Sequence, residues 1–99
     1  MKRDEVISRL KDAEPALRAR GVAALFLYGS HARDEARLDS DIDILVEFSP
    51  RTGHALESYM APFHLLEDTF PETTVGYSTS DGLEAAYRPH ILASALRVF

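Results

Sequence analysis

Two aspartates, Asp41 and Asp43, lie two positions apart immediately before the apolar segment 44–48. Alternate residues of a β-strand point to the same side, so an extended backbone would direct both carboxylates to one place. Carboxylates together with phosphate oxygens are a typical ligand set for Mg²⁺, and a metal pair can support both sides of a phosphoryl transfer. The spacing therefore predicts a Mg²⁺ site, of the two-metal type or with one ion bound, and a phosphate-bearing substrate.

A glycine–serine pair, Gly29–Ser30, follows the apolar segment 22–28, where the first predicted strand ends. One interpretation is an ordinary strand-to-helix turn in which Ser30 is the N-cap. The other is a phosphate-binding turn, in which glycine lets the backbone approach the ligand while Ser30 and the helix N-terminus supply donors. Because the acidic pair Asp41–Asp43 follows, we expect phosphate binding at Gly29 and Ser30.

Further polar residues lie between the glycine–serine pair and the acidic pair. Arg33 could form a surface ion pair, which contributes only ~0–1 kcal/mol, or lie beside a phosphate group. Ser40 could donate a hydrogen bond to a nucleotide, although support of the acidic turn is the favoured interpretation. We interpret His31 as incidental to the chemistry. The remaining histidines lack metal-ligand spacing and are expected at the surface or partly buried: His54, His64 and His90.

The composition indicates a small domain and argues against several classes of protein. The 99 residues include 11 Lys and Arg, 16 Asp and Glu and no Cys, with a formal net charge of −5. Scattered basic residues in an acidic chain argue against broad nucleic-acid binding, and the absence of cysteine fits the cytoplasm. The charged start and the lack of a run of ~18 apolar residues predict neither a signal peptide nor a membrane segment. We expect one cytoplasmic domain over residues 1–99.

Apolar periodicity predicts alternating helices and strands in the first half of the chain. Positions 6–17 have helical spacing, with Pro15 indicating either a kinked helix or two short ones. Gly21 is expected to end this region as a C-terminal glycine. Strands are predicted at 22–28 and 44–48.

The second half continues the alternation. An apolar stripe predicts a helix over 56–66, and β-forming residues predict a strand at 73–79. A last helix is predicted from an N-cap at Ser80–Asp81 through Leu96, interrupted at Pro89. This order predicts an α/β fold of the α+β type, in which helices pack on a small mixed β-sheet.

The stretch 27–46 resembles the signature of the minimal nucleotidyltransferases of the DNA polymerase beta superfamily. That signature is Gly-Ser, a short spacer, Arg and an Asp-x-Asp pair, and here the stretch reads LYGSHARDEARLDSDIDILV. The resemblance implies the nucleotidyltransferase fold, ATP as substrate and Mg²⁺ as cofactor. Catalysis and metal binding are then expected at Asp41 and Asp43. Nucleotide binding is expected at Gly29, Ser30, Arg33 and Ser40.

One position departs from this family pattern. The resemblance implies a third carboxylate on the strand after the middle helix, and Gly76 occupies that position. In the resembling enzymes the third acid helps to activate the attacking hydroxyl, and loss of a general base typically lowers a rate ~10²–10⁴-fold. Glu72 fits a loop and Asp81 fits a helix start, so neither is a simple replacement. We therefore expect slow or absent catalysis with nucleotide binding retained.

Minimal nucleotidyltransferases of this size resemble the antitoxins of two-gene prokaryotic systems. The resemblance implies a HEPN-domain ribonuclease toxin as partner, silenced by transfer of AMP from ATP to a tyrosine hydroxyl. Two alternatives stay open: a degenerate antitoxin that neutralises its partner by binding alone, and a free-standing nucleotidyltransferase for a small molecule or RNA. Apolar residues in 54–70 and at Val98–Phe99 predict a partner surface, hence a hetero-oligomer, or a homo-oligomer when the partner is absent.

Overall fold

The fold is a four-stranded sheet with helices packed on it, seen in a computed structural model that describes residues 1–33, 36–37, 40–52, 55–79 and 88–99. This architecture confirms the predicted fold class. Helices and strands follow in the order α1 (Arg3–Asp12), α2 (Glu14–Ala19), β1 (Val22–Tyr28), α3 (Gly29–Ala32), β2 (Ile42–Phe48), α4 (Leu56–Thr69), β3 (Val75–Thr79), α5 (Arg88–Ser94) and β4 (Leu96–Arg97).

The sheet is mixed, with strand order β3-β2-β1-β4. Strand β1 runs antiparallel to both β2 and β4, whereas β2 and β3 are parallel. Asp43 of β2 is the register partner of Tyr28 on one side and of Gly76 on the other. Register partners lie on the same face of a sheet, so these three positions share one face.

The opposite face of the sheet carries the hydrophobic core. Alternate residues of β1 and β2 project from this face and are buried among apolar side chains of the helices. Full burial of one such side chain stabilises the fold by ~1.5–3 kcal/mol. The core residues with no exposed surface include Leu25, Leu27, Ile42, Ile44 and Val46 of the sheet, Val6 and Leu10 of α1, Leu17 of α2 and Leu66 of α4.

At Pro15 the sequence predicted either one kinked helix or two short helices, and the structure has two. Helices α1 and α2 are separate, and Pro15 lies in the first turn of α2, where its missing N–H breaks no helical hydrogen bond. Gly21 follows α2 with φ of +99°, so the predicted C-terminal glycine is confirmed.

The C-terminal prediction needs a correction. Leu96 does not continue a helix but lies in β4, opposite Leu27 of β1. The edge of β1 offers unpaired backbone groups, and this pairing outweighs a short run of helical apolar spacing. Pro89 lies in α5, and the residues directly before this helix lie outside the described ranges, so the interruption predicted at Pro89 stays a prediction. The N-cap predicted at Ser80–Asp81 lies outside the described residues. Among the described helices, none is long and apolar enough to cross a membrane.

Candidate functional site

The sequence-predicted residues meet where β1 ends and β2 begins. Gly29 directly follows β1 and opens the short helix α3, while Asp43 is the second residue of β2. Gly76, the second residue of β3, lies beside Asp43 in the parallel register. The sheet topology thus brings residues from three separate parts of the sequence to one edge of one face.

The Asp43 carboxylate lies between two glycines. A Cβ atom built on Gly76 would be 2.6 Å from Asp43 Oδ1, and one built on Gly29 would overlap Asp43 Oδ2. Gly29 has φ of +73°, a conformation that L-residues with side chains rarely adopt. The absence of side chains on both sides therefore creates the space that the Asp43 carboxylate fills.

The Asp43 carboxylate has an unfavourable electrostatic environment in the free protein. Asp41 is exposed, whereas Asp43 is half-buried. Partial burial raises the pKa of the Asp43 carboxyl above its ordinary value, and the nearby charge of Asp41 raises it further. The charge of Arg33 and, when protonated, that of His31 act in the opposite direction. A bound cation would relieve the repulsion between the two carboxylates.

The interpretation of His31 as incidental missed a contact with the acidic pair. His31 is only 2% exposed, and its Nδ1 atom lies 3.0 Å from the backbone oxygen of Asp41. A buried polar side chain next to the Gly-Ser turn connects this turn to the segment that carries Asp41. The residue type alone carried no signal, because a histidine in this stretch fits a surface position equally well.

The turn before Asp41 is held by further hydrogen bonds. Ser40 Oγ accepts a hydrogen bond of 2.8 Å from the Arg37 backbone N–H, in line with a supporting role in the turn. The Thr73 hydroxyl donates to the Ser40 backbone oxygen at 3.1 Å. Thr73 was not among the sequence-predicted site residues, since its contact spans 33 positions along the chain.

Ser30 and Arg33 lie in and directly after α3. Ser30 is the second residue of α3, and Tyr28 precedes that helix at the N-cap without a side-chain capping bond. The N-cap interpretation of Ser30 is therefore wrong, because the helix begins one residue earlier. Arg33 follows α3, is exposed and lies close enough for its charge to lower the pKa of Asp43.

Two hydroxyl groups extend the polar part of this face. Tyr28 Oη and Ser78 Oγ lie 3.4 Å apart, and both side chains are half-buried. Ser78 is two residues beyond Gly76 on β3 and therefore points to the same side of the sheet. These hydroxyls lie on the same face as Asp43 and can donate or accept hydrogen bonds there.

Among the described residues, the carboxylates that the site offers to a cation are those of Asp41 and Asp43. In the part of the chain that the structure describes, no group of three or more His, Cys, Asp or Glu side chains could hold a metal ion. Glu72 is engaged elsewhere, in an ion pair of 2.5 Å with Arg9, and Asp81 lies outside the described ranges. The pair Asp41–Asp43 still fits Mg²⁺, which is often held by one or two carboxylates together with substrate phosphates.

Comparison with known proteins bears on the fold and the family of the chain. One solved structure, of a proposed minimal nucleotidyltransferase, is 28% identical, with a TM-score of 0.81, and the match covers 97% of this chain and 95% of that one. A crystal structure of a mutant of the MntA-HepT toxin–antitoxin pair has a TM-score of 0.62 at 14% identity, covering 100% of this chain and 73% of that one, so it shows a shared fold. No curated protein sequence gives a significant match. Residues 4–91 match the nucleotidyltransferase domain family. The chain belongs to the nucleotidyltransferase domain family.

Proposed function

We propose that this chain is a minimal nucleotidyltransferase antitoxin that binds ATP with Mg²⁺ and transfers AMP, slowly, to a hydroxyl group of a HEPN-domain toxin. The observation that carries the proposal is the position of Asp43, which lies between Gly29 and Gly76 with its pKa raised by burial and by Asp41. A half-buried carboxylate beside a second carboxylate is a poor arrangement for stability alone. It is a suitable arrangement for binding a cation with a phosphate ligand.

The proposed reaction is a displacement at the α-phosphorus of ATP. The acceptor oxygen forms a bond to this phosphorus, the bond to the oxygen bridging the α- and β-phosphates breaks, and pyrophosphate leaves with that oxygen. The hydroxyl proton passes to a base or to solvent. Bound Mg²⁺ would neutralise phosphate charge and orient the triphosphate. Asp41 and Asp43 would hold the ion, while Gly29, Ser30, Arg33 and Ser40 line the nucleotide side.

We attribute the slow rate that we expect for AMP transfer to Gly76. This residue is the register partner of Asp43 on the neighbouring parallel strand, the position from which a third carboxylate would reach the same site. Glycine provides no group that could accept the proton of the attacking hydroxyl. Because positioning and electrostatics contribute most of the rate in phosphoryl transfer, loss of the base is expected to slow the reaction without preventing nucleotide binding.

Isothermal calorimetry with ATP, in the presence and absence of Mg²⁺, tests the binding part of the proposal. We expect a Kd between about 1 μM and 1 mM, roughly −8 to −4 kcal/mol, that depends on Mg²⁺. The Asp43→Asn variant should lose the Mg²⁺-dependent part. Asp68→Asn, on the exposed side of α4, is the matched control and should bind as the wild type does. Absence of heat from folded wild-type protein at millimolar nucleotide would contradict the proposal.

A second candidate function is neutralisation of the toxin by binding alone. It is favoured by the space beside Gly76, which the Asp43 carboxylate itself fills, so the free site is not arranged for a third acid. Both candidates require a partner, and the exposed apolar side chains Leu56 and Tyr59 on α4 support one. Val98 is buried, so it is not part of the exposed partner surface that the sequence predicted there.

The partner is tested first by whether a HEPN-domain protein is encoded beside this chain, and then by co-expressing the two proteins. Size-exclusion chromatography should give one complex at micromolar concentration, and this chain alone should self-associate. Separate elution of the two proteins would favour the free-standing nucleotidyltransferase. Labelled ATP then separates the first two candidates, because only the active antitoxin leaves AMP on its partner.

A further inference from the structure

A buried histidine contacts the acidic turn from inside the protein. His31 lies in α3 with 2% of its surface exposed, and its Nδ1 atom is 3.0 Å from the Asp41 backbone oxygen. A carbonyl oxygen only accepts hydrogen bonds, so Nδ1 must carry the proton. This bond fixes both the ring orientation and the protonated nitrogen of His31.

The contact falls on the peptide group that enters β2. The Ile42 N–H of this group donates to the Thr74 backbone oxygen at 2.9 Å, and its Asp41 carbonyl oxygen bonds to His31. The ladder between β1 and β2 ends at the pair Tyr28–Asp43, and the ladder between β2 and β3 ends at Ile42–Val75. Asp41 therefore lies outside both ladders. Its side chain is exposed, and the bond from His31 holds its carbonyl oxygen in addition to the Ile42 N–H bond on the other side of the same peptide group.

We propose that His31 is a positioning residue, whose Nδ1–H bond holds the Asp41 backbone so that the Asp41 carboxylate reaches the site of Asp43. The consequence for ligand binding rests on the proposed function, whereas the effect on the Asp41 backbone does not. Residues that orient metal ligands through hydrogen bonds typically change metal affinity ~10–100-fold when they are replaced.

Substitution of His31 by asparagine and by glutamine distinguishes the loss of the Nδ1 hydrogen bond from the loss of other properties of the side chain. The Asn side-chain nitrogen is attached to Cγ, as Nδ1 is in histidine, so His31→Asn can donate to the same carbonyl oxygen. In His31→Gln the nitrogen is one bond further away, and His31→Leu retains apolar volume without a donor. His64→Asn is the matched control, since His64 lies on the exposed side of α4 with 64% of its side chain accessible.

Calorimetry with Mg²⁺ and ATP gives the first result, after a thermal melt has shown which variants fold. We expect His31→Leu and His31→Gln to weaken Mg²⁺-dependent ATP binding about 10–100-fold, and His31→Asn to restore most of the affinity. His64→Asn should bind as the wild type does. The proposal is overturned if the Leu and Gln variants bind like the wild type, or if Asn binds no better than Gln. The comparison of Asn with Gln decides the question even if the Leu variant does not fold.

Backbone NMR of the free protein tests the positioning separately from nucleotide binding. The amide signals of Asp41 and Ile42 should shift or broaden in His31→Gln and return towards their wild-type positions in His31→Asn. Unchanged signals in the Gln variant would overturn the positioning role. If the signals respond as expected while wild-type protein binds no ATP, the positioning role stands and the proposed function fails.

Discussion

Gly29 and Gly76 both lie beside the Asp43 carboxylate, but a side chain is disfavoured at the two positions for different reasons. On the β1 side, Gly29 has a positive φ of +73°, and a Cβ there would overlap Asp43 Oδ2. On the β3 side, the Gly76 backbone needs no such conformation, and a Cβ would meet Asp43 Oδ1 at 2.6 Å with the Asp43 backbone at an ordinary 3.8 Å.

At Gly29 the backbone conformation itself disfavours a side chain, whereas at Gly76 only the space for a side chain is limited. Any side chain at Gly29 is strained by its φ angle, whatever Asp43 does. A side chain at Gly76 needs only a rotation of the Asp43 carboxylate, which is the mobile end of a side chain. We infer that the Gly29 side is fixed by the fold, whereas the Gly76 side can accept an acid.

The largest effect is expected from placing that acid. Gly76→Asp should displace the Asp43 carboxylate towards the ligand and supply a proton acceptor, raising the rate of AMP transfer by ~10²-fold or more. The rate is measured with labelled ATP, Mg²⁺ and the co-purified toxin partner. Gly76→Asn is the matched control, because it has the same shape but accepts no proton, and Asp41→Asn is the inactive reference.

Two results would contradict this account of Gly76. Rapid transfer by the wild-type protein would mean that another group acts as the base. A folded Gly76→Asp variant with no more activity than Gly76→Asn would mean that the missing carboxylate does not limit the rate.

A smaller effect is expected on stability, and it compares the two glycines directly. Gly29→Ala should destabilise the fold by ~1–2 kcal/mol, because alanine is forced into a left-handed conformation. Gly76→Ala should remain within about 1 kcal/mol of wild type, since a strand glycine is itself unfavourable and offsets the shift of Asp43. Urea unfolding of both variants gives the two free energies. Equal losses would remove the distinction between the two sides.

The smallest effect is a pH dependence that follows from Asp43. The pKa of the Asp43 carboxyl is raised in the folded protein, so the protonated form of this group favours the folded state. This contribution to the free energy of unfolding is fully present below the unfolded-state pKa of ~3.9. It is lost as the pH rises through the folded-state pKa. Asp43→Asn should therefore raise the melting temperature of the metal-free protein at neutral pH. The gain is at most a few degrees, because the carboxyl is partly solvated.

This gain should disappear as the pH falls below about 4, where wild-type Asp43 is protonated as well. Asp68→Asn, at an exposed position, should not reproduce the pattern. A lower melting temperature for Asp43→Asn at neutral pH would show that the ionised carboxylate stabilises the free protein.

The parts of the fold that were predictable are those encoded locally. The apolar segment 22–28 and the segment after Asp41 form β1 and β2 because each is rich in β-branched, aromatic and other apolar residues. The placement of Gly76 beside Asp43 was expected only from the family resemblance, because strand periodicity does not fix the register between two distant strands. The role of Gly76 as the missing third acid stays a prediction.

The contacts that were missed depend on distant pairings. His31 meets Asp41 across 10 positions, and Thr73 meets Ser40 across 33, and neither spacing follows from a local period. The short strand β4 forms because the edge of β1 is available, which only the assembled sheet reveals. Such residues support a site through the tertiary structure and carry no motif of their own.

We infer that the Asp41–Asp43 side of the site binds a cation with a nucleotide, while the Gly76 side contributes no ligand. Crystals of the wild-type protein grown with Mn²⁺ and a non-hydrolysable ATP analogue test it through the anomalous scattering of manganese. We expect an anomalous peak coordinated by Asp41, Asp43 and phosphate oxygens, with the Asp43 carboxylate rotated away from Gly76. Crystals that contain the nucleotide but show no manganese at these aspartates would contradict the claim.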